Sequence, residues 1–261
     1  MTRRPSARVA MPSVDGALEE AHVEDLKDSV VAITGASAGI GRATARELAR
    51  AGARVVLGAR RRERLEAIEA EFPGQVAAVE MDVRSPDDSR RLVQEAVARF
   101  GRLDSLVANA GIGMYGGILD RTDEELATML DTNVAGTVWP IRAAVPEMLE
   151  AGRGDIVIVA SVAGFRGGAD EAVYAATKFA QVGLAGSLDR ELRDKGIRVT
   201  TIGPAGTSTE FAIGAGRTED MPELQTYLKP EDIAFAIRTV LEQPRRLRTQ
   251  YWTIWSMAQG S

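Results

Sequence analysis

Short runs rich in valine and isoleucine alternate along this chain with longer segments in which apolar residues recur every three or four positions. VVAIT (30–34), RVVLG (54–58), VAAVEM (76–81), SLVAN (105–109), IVIVAS (156–161) and RVTTIG (198–203) read as strands buried on both faces. GRATARELARAG, RRERLEAIEAEF, PDDSRRLVQEAVARFG and the stretches 122–150 and 171–195 read as the helices between them. Gly52, Gly74, Gly101, Gly152 and Gly196 stand at the expected helix ends, and Pro140 is expected to kink a helix over 131–150. Strict alternation of strand and helix implies right-handed crossovers, so the fold class is α/β: a doubly wound parallel sheet in three α/β/α layers. The pattern begins at Leu26 and carries no linker or repeat, which makes 26–261 a single domain behind a polar, flexible extension over 1–25.

Composition narrows the chemistry. The chain of 261 residues has no cysteine, which removes disulfides, thiolate metal sites and cysteine nucleophiles. Its one histidine, His22, lies in the polar N-terminal segment, so neither a metal centre nor the usual general base is expected. Proton chemistry then falls to carboxylates, tyrosine or lysine. A formal charge of −5 supplies no electrostatic reason for a nucleic-acid or anionic-membrane partner. The first 25 residues lack the apolar run of a secretory signal, and the longest uncharged stretch, SLVANAGIGMYGGIL, is broken by glycines. Cytoplasmic localisation is the expectation.

Between the first strand and the first helix, TGASAGIG places Gly35, Gly39 and Gly41. Glycines there let the backbone approach a pyrophosphate, and the helix N-terminus supplies N–H groups and partial positive charge. A dinucleotide-binding sheet usually carries an acid at the end of its second strand for the adenosine ribose. Here Ala59 holds that place and Arg60 follows, so a 2′-phosphate is favoured over a bare ribose. Arg60, Arg61 and Arg62 equally suit a solvated helix start, with Arg62 facing Glu66. Asp82 ends the third strand, where it suits an adenine amino group, and Asn109 and Gly111 end the fourth. Ser161 ends the fifth strand. Thirteen residues on, Tyr174 and Lys178 share a helix face in VYAATKFAQVGLAG, a pair that alone is ordinary on a helix. Asn133 interrupts the preceding long helix, where asparagine is a poor helix former.

In order and spacing, TG-x3-G-x-G, N-A-G, Asn133, Ser161 and Y-x3-K resemble the short-chain dehydrogenase/reductase family over about residues 26–255. The resemblance implies a Rossmann-type fold and hydride transfer between NADP(H), with NAD(H) as the alternative, and a carbonyl or secondary alcohol. It makes Tyr174 the acid or base. Lys178 holds the nicotinamide ribose and lowers the tyrosine's pKa, Ser161 orients the substrate oxygen, and Asn133 anchors a water that relays protons through Lys178. Cofactor contacts are implied at Gly35, Ser37, Ala38, Gly39, Ile40, Gly41, Arg60, Asp82, Val83, Asn109, Ala110, Gly111, Tyr174, Lys178, Pro204, Thr207 and Thr209. Two departures stand out: Ala205 separates Pro204 from Gly206, and Ala108 replaces the first asparagine of the family's frequent N-N-A-G.

Substrate walls are expected from Met114, Tyr115, Phe165 and Phe211, beside Ser161, in loops after the fourth, fifth and sixth strands. The segment 209–228 is expected to act as a lid, since Gly214 and Gly216 ease its motion and its residues mix apolar and charged. The resemblance implies a homodimer or homotetramer through helices near 131–150 and 171–194. Two other functions stay open: a non-enzymatic NADP-binding sensor or interaction protein, and an isomerase or dehydratase using the same site.

Overall fold

The structure, a computed structural model, describes residues 23–260. Strand β1 (Val30–Thr34) leads into α1 (Gly39–Arg50), followed by β2 (Arg54–Ala59), α2 (Arg62–Glu71), β3 (Val76–Glu80) and α3 (Pro86–Phe100). The second half runs β4 (Ser105–Ala108), α4 (Asp123–Leu130), a π-helical turn (Asp131–Ala135), α5 (Gly136–Glu150), β5 (Gly154–Val159), α6 (Ala172–Leu192), β6 (Ile197–Pro204), α7 (Pro230–Leu241) and β7 (Tyr251–Ile254). All seven strands pair in parallel in the order β3-β2-β1-β4-β5-β6-β7. This is the Rossmann-type α/β fold. Winding reverses between β1 and β4, so their carboxyl ends open the crevice in which such sheets bind ligands.

Local chemistry accounts for the elements. In α3, Ser85 accepts from the Asp88 N–H at 3.2 Å, Pro86 opens the helix, and Gly101 (φ 82°) ends it in left-handed backbone. All five glycines expected at helix ends adopt positive φ. One face of the sheet packs Val31, Ile33, Val55 and Leu57 beneath Leu48, Leu65, Ile233 and Ile237 of α1, α2 and α7. The other packs Val56, Leu106, Ile156 and Ile158 against Leu92, Ile141, Met148 and Leu192 of α3, α5 and α6. Burying both faces requires the unbroken apolar strand sequences seen in the chain.

Three differences from the sequence pattern are physical. The expected six strands are seven, because β7 is a four-residue edge strand with alternating exposure and too short to register by period. The amphipathic α7, preceded by the loop that carries the expected lid, is a helix beyond those the sequence pattern predicts. The stretch 122–150 is divided by a π turn upstream of Pro140, where the Gly136 N–H reaches back five residues to Asp131 O, and α5 continues through Pro140. The extension expected over 1–25 lies, apart from residues 23–25, outside the described residues. Of these three, Glu24 already bonds to the fold, its N–H donating to Glu242 O at 2.8 Å.

Candidate active site

A cleft of about 870 Å³ runs along the carboxyl edge of the sheet. At its floor the chain leaves β1 through Gly35 (φ 68°) and enters α1 at Gly39 (φ 51°). A Cβ on Gly41 would stand 2.5 Å from Gly35 O and 2.6 Å from Asn109 Nδ2, so this closeness of turn, helix and β4 loop admits only glycine. Asn109 ties the two loops together, donating to Thr34 O at 3.0 Å and Gly35 O at 3.3 Å. Ser37, Ala38, Gly39 and Ile40 line the cleft above the open N-terminus of α1, which carries no side-chain cap.

At one end of the cleft, Arg60 and Arg61 flank the carboxyl end of β2 beside Asp82 and Val83. Arg61 donates to Ser37 Oγ at 3.0 Å and to Glu210 at 3.0 Å, and Arg64 holds the same carboxylate at 2.8 Å. Arg62 instead turns to Glu66 at 2.7 Å. Among the described residues Arg60 has no ion-pair partner. The side-chain bonds to Arg84 lower the Asp82 pKa from its ordinary value.

The other end carries the reactive side chains. Ser161 leaves β5 with its hydroxyl accepting from Ala163 N at 3.1 Å. Tyr174 is buried between Tyr115 and Phe211, with ring centroids at 5.5 and 5.8 Å. Burial pushes the phenol pKa up, the Ser161 hydroxyl and the Arg217 charge oppose that, and Glu171 and Tyr115 add to it. Lys178, one turn further along α6, is 4% exposed, and its Nζ donates to Gln181 Oε1 at 2.9 Å and Val159 O at 3.3 Å. Desolvation lowers its pKa to about 7.

Behind the lysine, Asn133 is wholly buried in the π turn. Its side chain pairs with Ile112 through two bonds of 2.8 Å and donates to Thr177 Oγ1 at 3.0 Å. Its carbonyl accepts from Thr137 Oγ1 at 2.7 Å and Gln181 Nε2 at 3.0 Å. Both lone pairs of that carbonyl and both amide hydrogens are therefore taken. The residue pins the β4 loop to α6 and does not face the cleft.

Most residues expected from the sequence line this one cleft: Ala110, Gly111, Met114, Pro204, Thr207 and Thr209 join those already named. Three do not. Gly41 lies beneath the turn, Asn133 behind the lysine, and Phe165 packs edge-on against Tyr251 at 5.6 Å, away from the cleft. Phe165, expected as a substrate wall, lies outside the cleft because the 3₁₀ turn after Ser161 directs it to the neighbouring edge strand β7. Sequence reasoning also missed Gln181, Glu210 and the second role of Arg61. For Gln181 a signal existed, a polar residue three positions after Lys178 within an otherwise apolar run; for Glu210 there was none. Among the described residues no acidic or histidine cluster suits a metal, and no helix is long and apolar enough to cross a membrane.

The family model for short chain dehydrogenases matches residues 29–220. An uncharacterised oxidoreductase of Staphylococcus aureus strain USA300 is 33% identical over 230 residues, which are 88% of this chain and 97% of that protein. Among solved structures, the alcohol dehydrogenase of the archaeon Thermococcus sibiricus, complexed with 5-hydroxy-NADP, superimposes with a TM-score of 0.82 and 31% identity, covering 89% of this chain and 98% of that one. The 3-ketoacyl-(acyl-carrier-protein) reductase of Brucella melitensis, complexed with NADH, gives 0.79 and 28%, with 89% and 99% covered. With its glycine turn, its Ser161–Tyr174–Lys178 cluster and a family match over most of its length, this chain belongs to the short-chain dehydrogenase/reductase family of oxidoreductases.

Proposed function

We propose that the protein transfers a hydride between NADP(H) and the carbonyl or secondary alcohol carbon of a small substrate. The observation that carries this reading is the continuity of the cleft, with glycine turn and arginines at one end and Ser161, Tyr174 and Lys178 at the other. A nicotinamide dinucleotide fits the residues present. The Gly35–Gly41 turn would hold its pyrophosphate on the α1 N-terminus, and Arg60 and Arg61 would hold a 2′-phosphate where Ala59 presents no repelling acid. NADP(H) is on these grounds preferred to NAD(H). When bound, the dinucleotide supplies or accepts the hydride.

The chain's own residues supply the rest. Ser161 orients the substrate oxygen, and Tyr174 gives it a proton in reduction or removes one in oxidation. Lys178 donates to the nicotinamide ribose, and its cationic form would favour the tyrosinate, opposing the upward push of burial. Tyr115, Met114 and Phe211 form an apolar wall about the phenol, Phe211 coming from the segment 209–228, which is bonded to the β4 loop by Tyr115 N to Ala215 O at 2.9 Å. The protein acts as a soluble cytoplasmic enzyme without a metal. It assembles as a homodimer or homotetramer through α5 and α6, where Phe179 and Leu149 are exposed; a monomer in sedimentation at micromolar concentration would contradict the assembly.

The test is a panel of carbonyls and alcohols followed at the reduced-nicotinamide absorbance, with Tyr174→Phe alongside. The wild type is expected to turn over a panel member with NADPH. The variant should bind NADPH as the wild type does and lose turnover by at least about 10³-fold. NADPH binding with no turnover of any substrate would favour a sensor, and substantial residual turnover by the variant would remove Tyr174 from its role.

A further inference from the structure

We propose that Gln181 is a positioning residue for the reaction: its side-chain amide bridges the Lys178 ammonium to the carbonyl of the π turn, and so fixes where that ammonium sits and helps to keep it charged. The inference rests on the proposed role of Lys178. Gln181 is 1% exposed. Its Oε1 accepts from Lys178 Nζ at 2.9 Å, while its Nε2 donates to Asn133 O at 3.0 Å and Thr137 Oγ1 at 2.7 Å. The amide has only one sensible orientation, because the lysine can only donate and the Asn133 carbonyl can only accept. With Thr137 Oγ1 also donating to Asn133 O, that carbonyl is saturated.

The groups around the lysine leave the amide as its main polar support. On α6 it faces Tyr174, whose ring centroid is 5.6 Å from Nζ. From β5 it meets the Val159 carbonyl, and from the β4 loop the backbone at Gly111. Arg217 of the 209–228 segment and Glu171 at the start of α6 act on Tyr174, yet neither shifts Lys178, for which burial is the one resolved influence. A carbonyl oxygen aimed at an ammonium favours the charged form, so removing it should lower the lysine pKa, and replacing it with a carboxylate should raise it.

Gln181→Met and Gln181→Glu make the test, read by ¹³C NMR of labelled lysine side chains against pH in protein without added nucleotide. The chain has four lysines, and the Lys178 signal is assigned from its loss in Lys178→Arg. The Met variant should move the Lys178 titration down by about one pH unit and the Glu variant should move it up. In turnover, the pH limb that follows Lys178 should move in the same two directions, with KM for the carbonyl substrate little changed. Opposite shifts are beyond what altered packing alone produces. If the Glu variant shows no cooperative melting transition, the Met variant decides alone. A Lys178 titration unmoved within about 0.3 pH unit in a folded Met variant would overturn the proposal. Shifted titrations in a protein that turns over no carbonyl would leave the amide's hold on Lys178 standing and remove the oxidoreductase reading instead.

Discussion

Lys178→Met should make the protein more stable in acid and less stable in alkali, relative to the parent. Burial lowers the lysine pKa from 10.5 to about 7, a gap worth about 5 kcal/mol at about 1.4 kcal/mol per pH unit. Between those two values the unfolded chain binds a proton that the folded chain does not. The parent's stability therefore rises with pH across that window, from a full penalty below about pH 7 to none above about 10.5. Methionine fills similar space and never charges, so the variant escapes the penalty. It also leaves Gln181 Oε1 and Val159 O without their donor, at about 1–3 kcal/mol in total if local groups adjust. The net expectation is a gain of about 2–4 kcal/mol near pH 6, turning into a small loss near pH 10, a swing of about 4 kcal/mol. Urea unfolding of both proteins at the two pH values, without nucleotide, measures it. A parent-to-variant difference that stays constant with pH would show that Lys178 does not titrate within the fold as its burial implies.

Other expectations follow from neighbouring features. Ala59→Asp should shift preference towards NADH by roughly 10–100-fold in the ratio of kcat/KM, through repulsion of the 2′-phosphate; equal use of NADH and NADPH by the parent would refute the arginine reading. Asp155 is buried between Arg198 at 2.5 Å and Arg245 at 2.7 Å, and Arg198 also donates to the Gln243 carbonyl beyond α7. Asp155→Ala should therefore cost about 3–5 kcal/mol in denaturant unfolding, since two guanidinium groups lose their counter-charge. Hydrogen exchange over 209–228 should slow on adding NADPH with a turned-over substrate, because the segment lies along the cleft as short turns held by single bonds such as Arg217 to Thr207 O at 3.2 Å. Equal, strong protection in both states would mean a fixed element and no lid.

The sequence by itself determined the fold class and named the side chains that the fold brings to one cleft. Six strands are largely apolar on both faces, a pattern that a covered parallel sheet satisfies, and glycines close five of the helical segments between them. Chain order then put TGASAGIG, Asn109 and Ser161 at the carboxyl ends of strands, because each follows its strand directly, and the Tyr174–Lys178 pair on the helix that follows β5. What the sequence left open depends on contacts between segments far apart in the chain. Phe165 sits in a loop beside the site, but β7 lies where it can pack on Tyr251, and no local pattern announces that edge strand. Glu210 meets Arg61 and Arg64 only because the chain after β6 folds back across the β2 end, some 146 residues from Arg64. Asn133 sits in a π turn, and its carbonyl finds Gln181 across 48 residues of chain. Periodicity reports which face of an element is buried; which partner it is buried against is decided when the elements pack.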